Sequence, residues 1–181
     1  MNFLMRLLAI LIIVNQSLCA YIATPSEYSY DLNISLKEEI FSMYHQDQMA
    51  RWAQIDTSFC SRLKEIVTEY GWPGISLVGE GAASAFWLLV HHTDDIHFQR
   101  ECLYFLESAV LNKEANPLHL AYLEDWILIH EGKFQKYGTQ LDWDWSPFPI
   151  EEELYVDERR ASIGLSSLQQ YIEMCRQMHN S

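Results

Sequence analysis

Three ionisable side chains fall where the apolar stripes of separate helices should continue, and each is of a type that handles protons. At 3.6 residues per turn, Ile40, Tyr44, Asp47 and Arg51 share one line, Ala82, Ala85, Leu89 and His92 a second, and Leu118, Tyr122, Asp125 and Ile129 a third. An unpaired buried charge is costly, so such groups pair, hydrogen-bond or open onto a water-filled hollow. Convergence of the three stripes would make a polar cleft with His92, Asp125 and Asp47 as its catalytic acid–base set. Arg51, with Arg159 or Arg160, would hold an anionic group there. The competing reading is a buried network that ties helices together without chemistry. Asp47 and Arg51 are also an i, i+4 pair, which on a helix surface contributes only about 0.2–0.5 kcal/mol.

Other motifs are weaker. The run His91-His92-Thr93-Asp94-Asp95-Ile96-His97 holds metal-ligand residue types, but it contains neither HExxH nor a histidine pair at i, i+4, so no metal is assigned. Gly79-Glu80-Gly81 lacks the P-loop lysine and the dinucleotide fingerprint, and no Gly-x-Ser-x-Gly elbow occurs. The cofactor is therefore unknown. Trp143 and Trp145 alternate with Asp142 and Asp144, which on a strand would put both indoles on one face for a protein or glycan to stack on, core burial being the alternative.

The elements that must position these residues are mostly helical. Helix formers run from Ser35 to Gln54, and Asp56 or Thr57 caps a segment with Phe59, Leu63, Ile66, Val67 and Tyr70 on one face. Gly71 and Trp72-Pro73-Gly74 stop it, and Ile75–Val78 reads as extended. From Ala82 to Val90 the chain is apolar almost all round, the mark of a central helix surrounded by protein. Thr93 or Asp94 caps a helix through about Leu111, Asn116-Pro117 opens another that Gly132 ends, and Asp157 caps a short one ending at Gly164. Ser166 or Ser167 caps a last amphipathic helix with Leu168, Tyr171, Ile172 and Cys175. The fold class is mainly α, a bundle-like single domain over residues 34–181 with a small β hairpin or extended segment near 134–150.

The start of the chain reads as a secretory signal over residues 1–20: Arg6, the apolar run Leu7–Val14, then a short polar stretch to Ala20, leaving Tyr21 first after cleavage. Eight apolar residues fall far short of the roughly 20 that span hydrocarbon, so no stable membrane span is expected after cleavage. A lipid anchor at Cys19 is the less favoured alternative, since Leu18 stands where a small residue is usual. The expected location is secreted or periplasmic, with residues 21–33 as a flexible tether. Cys60, Cys102 and Cys175 then allow at most one internal bridge. The formal charge is −13, and no basic stripe with interleaved aromatics occurs, which excludes a nucleic acid as partner.

Several segments taken together carry a resemblance. Tyr70-Gly71-Trp72-Pro73-Gly74, Gly79, Trp87 to His92 with Asp94, Gln99, Leu120-Ala121-Tyr122-Leu123 with Asp125, Gln135 and Tyr137-Gly138-Thr139-Gln140 stand in order. Asp157, Arg159-Arg160, Gly164-Leu165 and Tyr171 follow, and Asp47-Gln48 and Arg51 precede. Over about residues 45–175 this resembles a bacterial domain-of-unknown-function family. The resemblance implies no established activity, but it marks His92, Asp125, Gln140 and the arginines as candidate site residues, and Tyr137 is a further substrate-binding candidate beside Gln140. The chain departs from the family pattern at His91, where glutamine is usual, and at Trp126, where arginine is usual, so a site needing that arginine would be incomplete. Two functions are thus expected: a hydrolase-like enzyme on a small polar or anionic substrate, or a noncatalytic module for a protein or glycan partner.

Overall fold

The computed structural model describes residues 32–53 and 59–179, with the side chains of 51–53 and 179 excepted. The expected signal, nearly all of the tether, and the Asp56 or Thr57 cap lie outside them. The chain is mainly helical, and its contacts group into two compact units, one ending at Leu123 and one beginning at Glu124.

The first unit contains α1 (Ile34–Ala53), α2 (Cys60–Tyr70), the single turn α3 (Ile75–Val78), α4 (Glu80–His91), α5 (Ile96–Leu111) and the start of α6 (Pro117–His130). The apolar sequence of α4 predicts a helix covered on every side, and α1, α2, α3 and α5 all contact it. Ala82, Ala85, Phe86, Trp87 and Val90 are fully buried. Against α4, α1 turns Leu36, Ile40, Met43, Asp47 and Ala50 inward, so the polar residue does sit in the apolar line. Arg62 of α2 grips Glu39 of α1 with both ends of its guanidinium, at 2.5 and 3.0 Å, and that ion pair holds the Glu39 carboxyl below the ordinary range.

Local signals explain the ends. Asn33 Oδ1 accepts from Leu36 N at 3.0 Å to start α1. Gly71 ends α2 at φ +68°, a conformation that suits glycine. Asn116 Oδ1 accepts from Leu118 N at 2.9 Å at the head of α6. The cap of α5 is Asp95, accepting from Phe98 N at 3.0 Å, one or two residues beyond the expected Thr93 or Asp94. Ile75–Val78 is a helical turn, not an extended segment. Gly74 O accepts from Leu77 N and Val78 N, and Glu114 Oε2 accepts from Ser76 N at 2.7 Å, a remote acceptor that local composition does not reveal.

The second unit contains the end of α6, a loop over 131–152, a short 3-10 turn (Glu153–Tyr155), α7 (Val156–Ser162) and α8 (Leu168–His179), with α7 packed on α8. The expected β element is reduced to isolated bridges, Gln135 with Ile150 and Leu141 with Pro147. Asp142 to Ser146 form a tight turn between the second pair, with Trp145 at φ +67°. The period-two alternation of Trp143 and Trp145 therefore does not express a strand face, because turn bonds from Asp142 and Asp144 to the amides of Trp143 and Ser146 outcompete extension. Ser167 and Gln170 form a reciprocal capping box on α8. Asp157 serves the same helix end, accepting from Leu168 N at 2.7 Å, in place of the expected role at the start of α7.

Among the described residues no helix is long and apolar enough to cross a membrane. Cys60, Cys102 and Cys175 are free thiols, the last two buried, and burial pushes all three thiols up.

Candidate functional site

In the first unit, α4 ends at His91 and His92 forms its C-terminal cap, its amide bonding back to Leu88 O at 3.0 Å. Position 92 is where a side chain leaves the last turn, and there the imidazole meets α1. His92 Nδ1 lies 2.7 Å from Asp47 Oδ2, with the two side chains 2% and 6% exposed. Gln48 Nε2 donates to the same carboxylate oxygen at 3.0 Å. A carboxylate against Nδ1 selects the tautomer that carries its proton there and stabilises the imidazolium when the ring takes a second one. The other ring nitrogen, Nε2, is buried.

One turn back on α4, Trp87 anchors an aromatic stack beside this pair. His119 of α6 lies parallel to the indole at 4.2 Å between ring centroids and 6°, and His91 stacks on it at 5.4 Å and 17°. Trp87 Nε1 donates to His119 O at 2.9 Å, and Tyr122 meets the indole edge-on at 6.3 Å. Burial pushes the His119 imidazole down to about 3, so that ring is neutral near pH 7. No group of three or more His, Cys, Asp or Glu side chains that could hold a metal ion occurs among the described residues.

In the second unit, Asp125 is fully buried and occupied by the loop that follows α6. Oδ1 accepts from Lys136 N at 2.7 Å and Tyr137 N at 3.0 Å, and Oδ2 accepts from Thr139 N and Thr139 Oγ1, each at 2.9 Å. Burial pushes its carboxyl above the ordinary range while these donors pull the other way. Gln135 staples the same loop, its amide nitrogen donating to the carbonyls of Gln140 and Phe148 and its oxygen accepting from Gln140 N. Arg160, 1% exposed, donates to Tyr137 O at 2.7 Å and Ser166 O at 2.6 Å and lies over the Tyr171 ring. Tyr171 in turn donates its hydroxyl proton to Thr139 O. Arg159 donates to the carbonyls of Lys136, Glu151 and Glu152. The Tyr137-Gly138-Thr139-Gln140 segment is thus fastened by Asp125, Gln135, Arg160 and Tyr171, while Arg159 holds the carbonyl of Lys136 just before it.

The sequence profile of DUF6624, a family of unknown function, matches residues 26–180. The chain belongs to this family. No curated protein and no solved structure matches it.

Of the candidate residues in this DUF6624 chain, Asp47 and His92 meet directly. Asp125, Tyr137, Gln140 and Arg159 lie in the second unit, joined through the loop just described, and Gln140 Nε2 donates to Thr139 Oγ1 at 3.1 Å. The Arg51 side chain lies outside the described residues. Sequence reading passed over His119, whose inward position beside Tyr122 was hidden by reading a different line of α6. It also named no role for Gln99, Gln135 or Tyr171, because their partners are backbone carbonyls and amides that leave no mark in sequence spacing.

Proposed function

We propose that the first unit carries an acid–base centre, with His92 as the proton-transferring group and Asp47 as its orienting carboxylate, acting in a hydrolase-like reaction on a small polar or anionic substrate. The observation that carries this reading is the 2.7 Å approach of Nδ1 to Oδ2 between two buried side chains. A base in this setting is held in one tautomer and relieved of solvent reorganisation, which is what general base catalysis requires. Arg51, four residues beyond Asp47, supplies the charge type that an anionic substrate would need. Arg6 followed by the apolar run Leu7–Val14 supports export, so the reaction belongs outside the cytoplasm.

The test is turnover of a panel of chromogenic esters, phosphoesters, amides and glycosides by the wild type, His92→Asn and Asp47→Asn. Turnover of at least one substrate should fall about 100-fold or more in His92→Asn, the range that general acid–base groups contribute, with the helical spectrum retained. A panel hydrolysed equally well by His92→Asn, or by neither protein, would sink the reading.

A noncatalytic module is favoured by a separate observation: Trp143 is 77% exposed on the turn that carries Asp142 and Asp144. An exposed indole is a stacking surface for a sugar or a protein partner. Glycan-array binding that disappears in Trp143→Ala while surviving in His92→Asn would select this second reading.

A further inference from the structure

The turn that presents His92 is held by a side chain outside the proton pair. Gln99, in the first turns of α5 and 1% exposed, directs its carboxamide nitrogen back to the end of α4. Nε2 donates to Val90 O at 3.2 Å, His91 O at 3.1 Å and Thr93 O at 2.8 Å. The opposite orientation of the amide would set its oxygen against three carbonyls, so the donor assignment follows from the acceptors.

These acceptors are not scattered along the helix. The carbonyl of His91 belongs to the peptide that enters His92, and the carbonyl of Thr93 belongs to the peptide that leaves the next residue. Fixing both confines the backbone angles of His92 and Thr93, and so fixes the direction in which the His92 side chain departs. The helix end has other ties: His92 N bonds to Leu88 O at 3.0 Å, and Thr93 N and Oγ1 bond to Val90 O at 3.2 and 2.9 Å. Those ties close the last turn of α4. The Gln99 amide reaches carbonyls on both sides of His92, and it is rooted on a different helix, whose start is itself fixed by Asp95.

We propose that Gln99 is a positioning residue for His92, setting the backbone at the end of α4 so that Nδ1 is delivered to Asp47. This rests on reading the His92–Asp47 pair as the working centre, but it makes a separate claim about how the ring is aimed. Removing the amide should loosen the aim without touching either partner of the pair.

Long-range proton–nitrogen NMR of the imidazole rings tests it, on the full chain, for the wild type, Gln99→Met and Asp47→Asn. Wild-type His92 should show Nδ1 protonated over Nε2 by roughly tenfold or more, the bias expected when a carboxylate fixes the tautomer. Gln99→Met, which keeps the length and removes the donor, should bring that ratio to within about threefold, as Asp47→Asn should by replacing the carboxylate with a neutral amide that can also donate to the ring. A Gln99→Met protein with native helicity and the wild-type tautomer ratio overturns the proposal. If that variant does not fold, Gln99→Asn decides the matter: its amide is one methylene short, and an unchanged ratio there overturns the proposal just as well. Activity is a separate readout. A wild-type ratio that depends on Gln99, in a protein whose turnover ignores His92→Asn, would leave the positioning intact and remove the catalytic reading.

Discussion

Asp47 and Asp125 are both buried aspartates on helices, and they face opposite kinds of partner. Asp47 points at an imidazole, a ring that can carry one proton or two. Asp125 points at three backbone amides and a hydroxyl, none of which titrates near neutral pH. A buried carboxylate matched to a titratable ring can share a proton with it, while one matched to fixed dipoles can only hold the chain that carries them. The difference separates a carboxylate paired with an imidazole from an anchor for the Tyr137-Gly138-Thr139-Gln140 loop, although both residues carry the same signature of an acid in an apolar line.

The largest effect is expected where the anchor is removed. Asp125→Ala leaves the amides of Lys136, Tyr137 and Thr139 buried without their acceptor, and should lower stability by about 3–5 kcal/mol in denaturant unfolding. Asp125→Asn keeps one acceptor oxygen and should lose about half as much. A loss below about 1 kcal/mol in the alanine variant would break the comparison, since loop amides that tolerate the loss of their acceptor were not organised by it.

The loop itself offers the next test. Gly138 sits at φ +70°, and a Cβ there would come within 2.8 Å of Leu168 Cδ1 and 2.9 Å of Ile150 Cδ1. Gly138→Ala combines a left-handed backbone with overpacking and should cost about 2–4 kcal/mol by the same measurement. A neutral substitution would mean that the loop can shift away from Leu168 and Ile150, and the Asp125 anchor with it.

For the other aspartate the informative quantity is coupling. A double-mutant cycle of Asp47→Asn and His92→Asn should return an interaction energy of about 1–2 kcal/mol at pH 7, because residues in direct contact do not behave additively. Additive losses would sharpen the contrast in an unwelcome way, by making Asp47 another structural acid whose nearness to His92 is incidental.

How much of this was legible in sequence depends on what fixed each feature. Helix identity was readable wherever apolar periodicity was strong: the nearly uniform apolar stretch from Ala82 to Val90 became the buried helix α4, and Gly71 and Gly132 ended helices at positive φ. The inward placement of Asp47, His92 and Asp125 followed from projecting 3.6 residues per turn, and all three side chains are buried. Their partners did not follow. Helical spacing gives a direction around one helix, whereas the meeting of Asp47 with His92 depends on how α1 crosses α4. Ser76 takes its helical turn from Glu114, 38 residues on, and no local pattern at Ile75–Val78 could show it. Around Trp143 and Trp145 the alternation was real but short, and aspartate bonds to nearby amides decided for a turn. The family resemblance picked out residues of the second unit, and the geometry around them is mostly backbone hydrogen bonding, which a pattern of side-chain types does not encode.

His119 gives the finest test, because it is a buried imidazole of the first unit whose perturbation comes from burial alone. Its folded value is pushed down to about 3, against an ordinary value near 6.5 in the unfolded chain, so the unfolded state binds the extra proton first on acidification. The contribution to stability is therefore intact above about pH 6.5 and is lost progressively as the pH falls toward 3, at up to about 1.4 kcal/mol per pH unit. Between pH 7 and pH 5.5 the loss should be about 1 kcal/mol. His119→Phe keeps a flat ring against Trp87 and has nothing to protonate, so its unfolding free energy should change less over that interval by the same amount. Equal pH dependence in the two proteins would mean that the His119 ring is accessible to protons when folded, and the stack beside His92 would then be no drier than the surface.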